Sequence, residues 1–306
     1  MYNYQAFGLK ISSDVKLQEL LPARDDEQAP DLSIRLRDLE YNIPEIGTAP
    51  AFFDYEDENG CLMMWPGAIC ARIASEDLIE IQPYEGVPER YLGFPILGPI
   101  LGWLLHMRGL FVLHASAVVW EGKTITFLGD KGAGKSTTAT AFLQAGAKLL
   151  TDDLLAIDVD NPNGPKMLPA FPQIKLCSDA NVSVSVPDAE RLPLVMEGFE
   201  KRQFRLGEMY DAPIQCDYIV TLQRTTSEPK LEWISGQEAL MNLLRFSYNV
   251  RFSDAPIRLQ RREQHFKNAA IISKHAKCGK FFVSTGPEQL QQSVACFQDY
   301  ILSNEL

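Results

Sequence analysis

Over the first ninety residues apolar and polar positions alternate in short runs, and a period of two predicts strands rather than helices. The runs are Tyr4–Ile11, Asp31–Leu36, Ala51–Tyr55, Cys61–Trp65, Ala68–Ala74 and Leu78–Gln82. The first two are separated by LPARDDEQAP, a charged loop bounded by Pro22 and Pro30. The acidic clusters at Asp25–Glu27 and Asp54–Glu58 read as solvated loops. The pattern changes at residues 91–109, YLGFPILGPILGWLLHMRG, the most apolar segment of the chain. Its uninterrupted run is too short to span a bilayer, and Pro95, Pro99, His106 and Arg108 break or flank it, so it reads as a buried core helix ended by Gly109.

Beyond it the strands become more apolar and alternate with helices. Leu110–Trp120 predicts one or two strands, turned at Glu121-Gly122 into a short buried strand, Thr124–Leu128. Ala139, Phe142 and Leu143 follow at helical spacing, with Gly146 placed to end that helix. Ala147–Thr151 reads as the next strand, with Asp152 and Asp153 at its end. The last hundred residues continue the alternation, with strands at 216–222 and 230–234, a helix opened by the capping box Ser235-x-x-Glu238, a strand at 280–284 and a final helix from Pro287. The expected architecture is an α/β domain over 91–306, preceded by a small β-rich domain over 1–90.

Composition narrows the partners. The 306 residues are 46% hydrophobic, normal for a packed globule, and carry a net charge of −11. No general field draws such a chain to nucleic acid or an anionic membrane, so any phosphate binding must be local. The six cysteines are scattered and include no C-x-x-C pair, which suggests buried thiols rather than a zinc site or a disulfide framework. The first residues lack a basic start followed by an apolar core, so a cytoplasmic location is expected.

The local phosphate chemistry lies in GDKGAGKST: Gly129, Asp130, Lys131, Gly132, Ala133, Gly134, Lys135, Ser136 and Thr137. It fits G-x-x-x-x-G-K-[ST], a loop whose backbone N–H groups wrap a polyphosphate while the lysine reaches the β and γ phosphates and the hydroxyl holds magnesium. The strand before it and the helix after it are the context that motif needs, and the helix dipole adds to the pull on phosphate. ATP and Mg2+ are the cofactors expected, because no N-K-x-D stretch for reading guanine is present. Asp152 and Asp153, at the carboxyl end of a strand, stand where a metal ligand and a base are met in α/β sheets, although aspartates there also cap turns. His114 read alone fits a core histidine as well as a site residue. Lys201, Arg202 and Arg205 in KRQFRL fit either cations for a transferring phosphoryl or a solvated basic face.

HASAVVWEGKTITFLGDKGAGKSTTATAFLQAGAKLLTDD resembles the catalytic core of HPr kinase/phosphorylase, in which a histidine precedes the phosphate loop and a double aspartate follows its helix. FGLKISSD and LLHMRGLFVLHASAV bring the chain closer to the HPr-kinase-related proteins of lasso-peptide biosynthesis. The resemblance implies a phosphate-loop kinase that phosphorylates a serine of a peptide or small protein, the C-terminal serine of a lasso-peptide precursor in the nearer group. It implies Asp152 as general base, Asp153 as the acid nearer magnesium, with the two roles open to exchange, and His114 beside the transferred phosphoryl. The E-I-R-G-[LI]-G signature of true HPr kinases is absent, and Lys131 and Thr137 depart from that family's usual serine and glutamate. HPr-type protein substrates, a phosphoenolpyruvate-carboxykinase-like activity and a nucleotide-sensing regulator are the alternatives. No nucleic-acid or membrane partner is expected, and oligomeric state is left open.

Overall fold

The computed structural model describes residues 1–23, 29–39, 52–57, 60–65, 67–177, 186–194, 200–248, 259–284 and 287–303. The acidic cluster Asp25–Glu27 lies outside them.

The alternating N-terminal pattern forms one seven-stranded sheet, in the order Tyr2–Ala6, Leu9–Ser13, Leu32–Leu36, Leu78–Pro83, Ile69–Ser75, Gly60–Trp65, Phe52–Asp57. The expected first strand is in fact a hairpin, because Phe7 and Gly8 both take positive φ (54° and 73°) and turn the chain between Ala6 and Leu9. Leu9–Ser13 and Leu32–Leu36 pair in parallel, as do Leu32–Leu36 and Leu78–Pro83.

The apolar stretch after this sheet is helical, as Gly93–Pro95, Ile96–Ile100 and Leu101–Met107 join into one run. Its middle third has the wider π-type turn, which accommodates Pro99 inside the helix. Gly109 ends it in the left-handed region at φ 85°. Ile96, Ile100, Leu101, Leu104 and Leu105 pack into the same core as Ile11, Leu17, Leu32, Ile34 and Ile79 of the N-terminal sheet.

A six-stranded sheet forms the centre of the remainder, in the order Lys148–Asp152, Ser116–Trp120, Lys123–Leu128, Tyr218–Thr225, Lys277–Ser284, Lys230–Trp233. Its middle pairings, from Lys123–Leu128 to Tyr218–Thr225 and on to Lys277–Ser284, are parallel. Helices Lys135–Gln144 and Pro287–Ser303 bury Ala139, Phe142, Val294 and Phe297 in one core on the sheet. Helices Gly236–Arg245 and Leu259–His275 bury Ala239, Leu243, Ala269 and Ile272 in another. Both helix starts follow their sequence signals: Ser235 Oγ accepts from the Glu238 N–H at 3.2 Å, and Pro287 occupies the first helical position.

Leu110–Trp120 is divided between two sheets. Phe111–Leu113 belongs to a four-stranded sheet with Leu155–Asp158, Lys166–Leu168 and Ile214–Gln215, whereas Ser116–Trp120 joins the central sheet. The chain crosses between them at His114-Ala115. A third small sheet of Gln173–Cys177, Lys201–Leu206 and Ala189–Arg191 leans on the same end of the molecule. KRQFRL is therefore a strand, and strand alternation separates its cations: Lys201 and Arg205 share one face while Arg202 takes the other. Among the described residues no helix is long and apolar enough to cross a membrane.

Candidate functional site

Strand Lys123–Leu128 delivers the glycine loop to the end of the central sheet. A Cβ at Gly129 would lie 2.8 Å from the Ala133 Cβ, so the loop closes this tightly only with glycine there. Gly134 takes φ 98° and starts helix Lys135–Gln144, its carbonyl accepting from Thr138 N–H at 2.8 Å. Lys135 arches back over the loop and is buried, its Nζ donating to the carbonyl oxygens of Gly129 (2.8 Å) and Asp130 (3.3 Å). Asp130 and Lys131 face solvent, and Asp130 pairs with Arg245 from the end of helix Gly236–Arg245 at 2.8 Å. Arg224, at the end of the neighbouring parallel strand, donates to the Gly132 carbonyl at 2.5 Å.

The double aspartate meets this loop from strand Lys148–Asp152, whose register against Ser116–Trp120 shifts between Leu149 and Thr151 and then sets Asp152 opposite Ser116. Asp152 is only 4% exposed. Its Oδ1 accepts from Ser136 Oγ at 2.9 Å and from Ser116 Oγ at 2.5 Å, and its Oδ2 accepts from the Lys175 backbone N–H at 2.9 Å. Burial, with the adjacent charge of Asp153, pushes the Asp152 carboxyl above the ordinary aspartate range, and the three hydrogen bonds offset only part of this.

Asp153 is turned elsewhere because it adopts a left-handed conformation, φ 83°, at which a residue with a Cβ is strained. That kink aims its side chain, 30% exposed, at Lys175, whose Nζ donates to Oδ2 at 2.8 Å. His114 Nδ1 lies 2.9 Å from the Asp153 carbonyl and 3.7 Å from its Oδ1, so the ring N–H is turned to this residue. Burial alone would raise the Asp153 carboxyl, but the Lys175 ammonium, helped by His114 and Lys201, outweighs it and holds the group well below the usual range. Lys175 answers in kind: burial would lower it, and the Asp153 and Asp152 carboxylates raise it instead.

The structure thus gathers Lys135, Ser136, Asp152, Asp153 and His114 around the end of the central sheet, with Lys201 near enough to act on Asp153. Arg205 is turned away: it donates to the Gln18 carbonyl at 2.7 Å and to Glu190 at 2.5 Å. Two residues of the cluster escaped the sequence reading. Ser116 had a signal, a hydroxyl at the head of the apolar run SAVVW, which becomes strand Ser116–Trp120. Lys175 had a weaker one, a single charge inside the apolar run QIKLC.

The residues fit a nucleoside triphosphate with magnesium. The loop offers a glycine-lined curve, a buried lysine satisfied for the moment by carbonyls, and a hydroxyl beside carboxylates. No group of three or more His, Cys, Asp or Glu that could hold a metal alone occurs among the described residues. Magnesium is bound through one or two carboxylates together with phosphate oxygens and water, and Ser136 and the two aspartates are oxygen donors of that kind.

The chain matches no protein-family model and no curated protein sequence. Among solved structures it is similar to the HPr(Ser) kinase/phosphatase from Coxiella burnetii, with 11% identity, a TM-score of 0.29, and coverage of 64% of this chain and 99% of that one. At that identity and TM-score the likeness says nothing of substrate or chemistry, and what the chain does is read from its own residues.

Proposed function

We propose that the chain is an ATP- and magnesium-dependent phosphotransferase acting on a serine of a peptide or small protein, with the C-terminal serine of a lasso-peptide precursor as acceptor. The observation that carries this reading is the hydrogen bond from the loop hydroxyl of Ser136 to the buried Asp152, 2.9 Å, which joins the phosphate loop to the double aspartate.

Lys135 and the backbone N–H groups of residues 129–136 hold the phosphates, and Ser136 with Asp153 holds the metal. Magnesium-bound ATP supplies the phosphoryl group and lowers the charge it presents to an incoming hydroxyl. Asp153 suits the metal because its cationic neighbours keep it ionised and it retains some exposure. Asp152 suits the base because its carboxyl is raised, and a base with a pKa nearer the working pH is the better proton acceptor. Ser116 and the Lys175 N–H fix its orientation toward the acceptor. His114 turns a ring N–H and Lys201 brings positive charge to the Asp153 side, where the phosphoryl in flight needs donors and cations.

The test is to incubate the protein with ATP, magnesium and a peptide ending in serine, then locate phosphate by tandem mass spectrometry. Phosphoserine at the terminus is the expected result. ATP consumption without peptide modification would replace the kinase with a nucleotide-sensing regulator, and an oxaloacetate-dependent product would replace it with a carboxykinase.

A further inference from the structure

Besides Asp152 and Asp153, Lys175 has an acidic neighbour that the proposed reaction leaves unused. Glu19, in the segment after the first hairpin, is 1% exposed, and neither carboxylate oxygen has a hydrogen-bond partner among the described residues outside its own peptide. Its place is fixed from three directions. A Cβ at Gly93 would lie 2.6 Å from both oxygens, so the carboxylate rests directly on the first turn of the 93–107 helix. The next residue, Phe94, has its ring 5.3 Å from Lys175 Nζ. The residue before it, Gln18, accepts from Arg205 through its carbonyl, and Arg205 stands opposite Gln173 in the strand pair that sets Lys175 opposite Gln203. Burial outweighs the pull of Lys175 and Arg205 and raises the Glu19 carboxyl, but both cations act on it.

In this arrangement the Lys175 ammonium occupies one of the two Asp153 oxygens a metal could use. A divalent cation and an ammonium compete for that oxygen, and the displaced ammonium cannot simply enter water because the side chain is only 9% exposed. A buried charge without a counter-ion is costly, so the lysine needs another carboxylate within the sweep of its flexible stem. Asp152 is already engaged by two hydroxyls and a backbone N–H. Among the described residues the side-chain amide atoms Gln18 Nε2, Gln173 Nε2 and Gln203 Oε1 are likewise buried without partners, so few hydrogen bonds fix the side chains beside Glu19 and on the Lys175 strand pair.

We infer that Glu19 is a positioning residue for Lys175, taking over the ammonium when a divalent cation takes Asp153, so that the N-terminal sheet and its following segment complete the site. This rests on the reading of Asp153 as the metal ligand.

The experiment titrates Mn2+ into the full chain with ADP present, by electron paramagnetic resonance, for wild type and Glu19→Gln. The variant is expected to bind Mn2+ roughly three- to tenfold more weakly, the size of a coupling between neighbouring charges, with metal-free ADP affinity unchanged. Gly93→Ala, which crowds the carboxylate aside without removing its charge, is expected to weaken Mn2+ in the same direction and decides the matter should Glu19→Gln not fold. Glu190→Gln, at the exposed partner of Arg205, should bind Mn2+ as wild type does. A folded Glu19→Gln protein with wild-type Mn2+ affinity, changed only in thermal stability, would reduce Glu19 to a carboxylate serving the helix dipole and overturn the inference. Failure of wild type itself to bind Mn2+ with nucleotide would overturn the proposed function as well.

Discussion

The two sides of the Asp152–Asp153 pair are built on opposite plans. On the phosphate-loop side, Asp152 is buried and accepts three hydrogen bonds, from Ser116, Ser136 and the Lys175 N–H, all held by strands or by the loop helix. On the other side, Asp153 is strained, partly exposed and tied to a lysine whose surroundings include the unpartnered carboxylate of Glu19. A carboxylate held by several hydrogen bonds is fixed in place and can take a proton on its remaining lone pair along a defined line; an under-satisfied one can change partners at small cost. Two adjacent, chemically identical residues thereby acquire opposite pKa shifts, the division of labour that the proposed base and metal roles require.

The sharpest break is Asp152→Asn, which keeps shape and much of the hydrogen bonding but cannot take a proton. Transfer at saturating ATP should fall by about 10² to 10⁴ while nucleotide affinity persists. A raised folded pKa means the native state holds its proton where the unfolded chain has lost it, so the Asp152 charge costs stability at neutral pH and that cost disappears as pH falls to the unfolded value of about 3.9. Asp152→Asn should therefore be at least as stable as wild type at pH 7, with the gap narrowing toward pH 4 in urea titrations. Nearly full transfer by Asp152→Asn beside a dead Asp153→Asn would exchange the two roles.

Lys135→Ala acts on the loop that both sides share. It should weaken ATP roughly 10- to 100-fold, the worth of a hydrogen bond to a charged group, with circular dichroism unchanged, because the Lys135 Nζ donates to carbonyls of the loop itself and not to the packed core. Full transfer by a folded variant would remove the phosphate-loop mechanism.

Lys175→Met tests the Asp153 side by a loss of about 1 to 3 kcal/mol in stability, less than for a fully buried pair because Asp153 keeps some solvent. The folded pKa of Asp153 is depressed, so its contribution is whole above the unfolded value of about 3.9 and is lost as pH falls below it. The difference between wild type and variant should shrink on acidification below about pH 4. A constant difference would show that Lys175 stabilises by packing alone. Least affected should be Arg245→Ala, since an exposed ion pair with Asp130 is worth under about 1 kcal/mol and ATP affinity should change less than about fivefold.

Local pattern decided a good deal before any packing was known. The period-two runs between Asp31 and Gln82, the strand–loop–helix around GDKGAGKST, the capping box at Ser235 and the proline start at Pro287 formed near their predicted bounds, because turn chemistry and alternation act over a few residues; only the first run, Tyr4–Ile11, broke into two strands at Phe7-Gly8. The Glu121-Gly122 turn took the paired positive φ values (48° and 75°) that a tight hairpin requires. What alternation cannot carry is contact between segments far apart in the chain. The division of Leu110–Trp120 between two sheets was settled by which partners each half could pair with. The separation of Arg205 from Lys201's work on Asp153 was settled by Gln18 and Glu190.

Ser116 and Lys175 show the limit most plainly, since each gains its role only when folding brings Asp152 and Asp153, 36 and 22 positions away along the chain, beside it. The sequence by itself determined which groups can do phosphate chemistry, because glycine, lysine, hydroxyl and carboxylate carry that capacity in their covalent structure. Tertiary structure alone decided which carboxylate is raised and which is lowered, because a pKa is set by burial and by neighbouring charge, and both are properties of position in space.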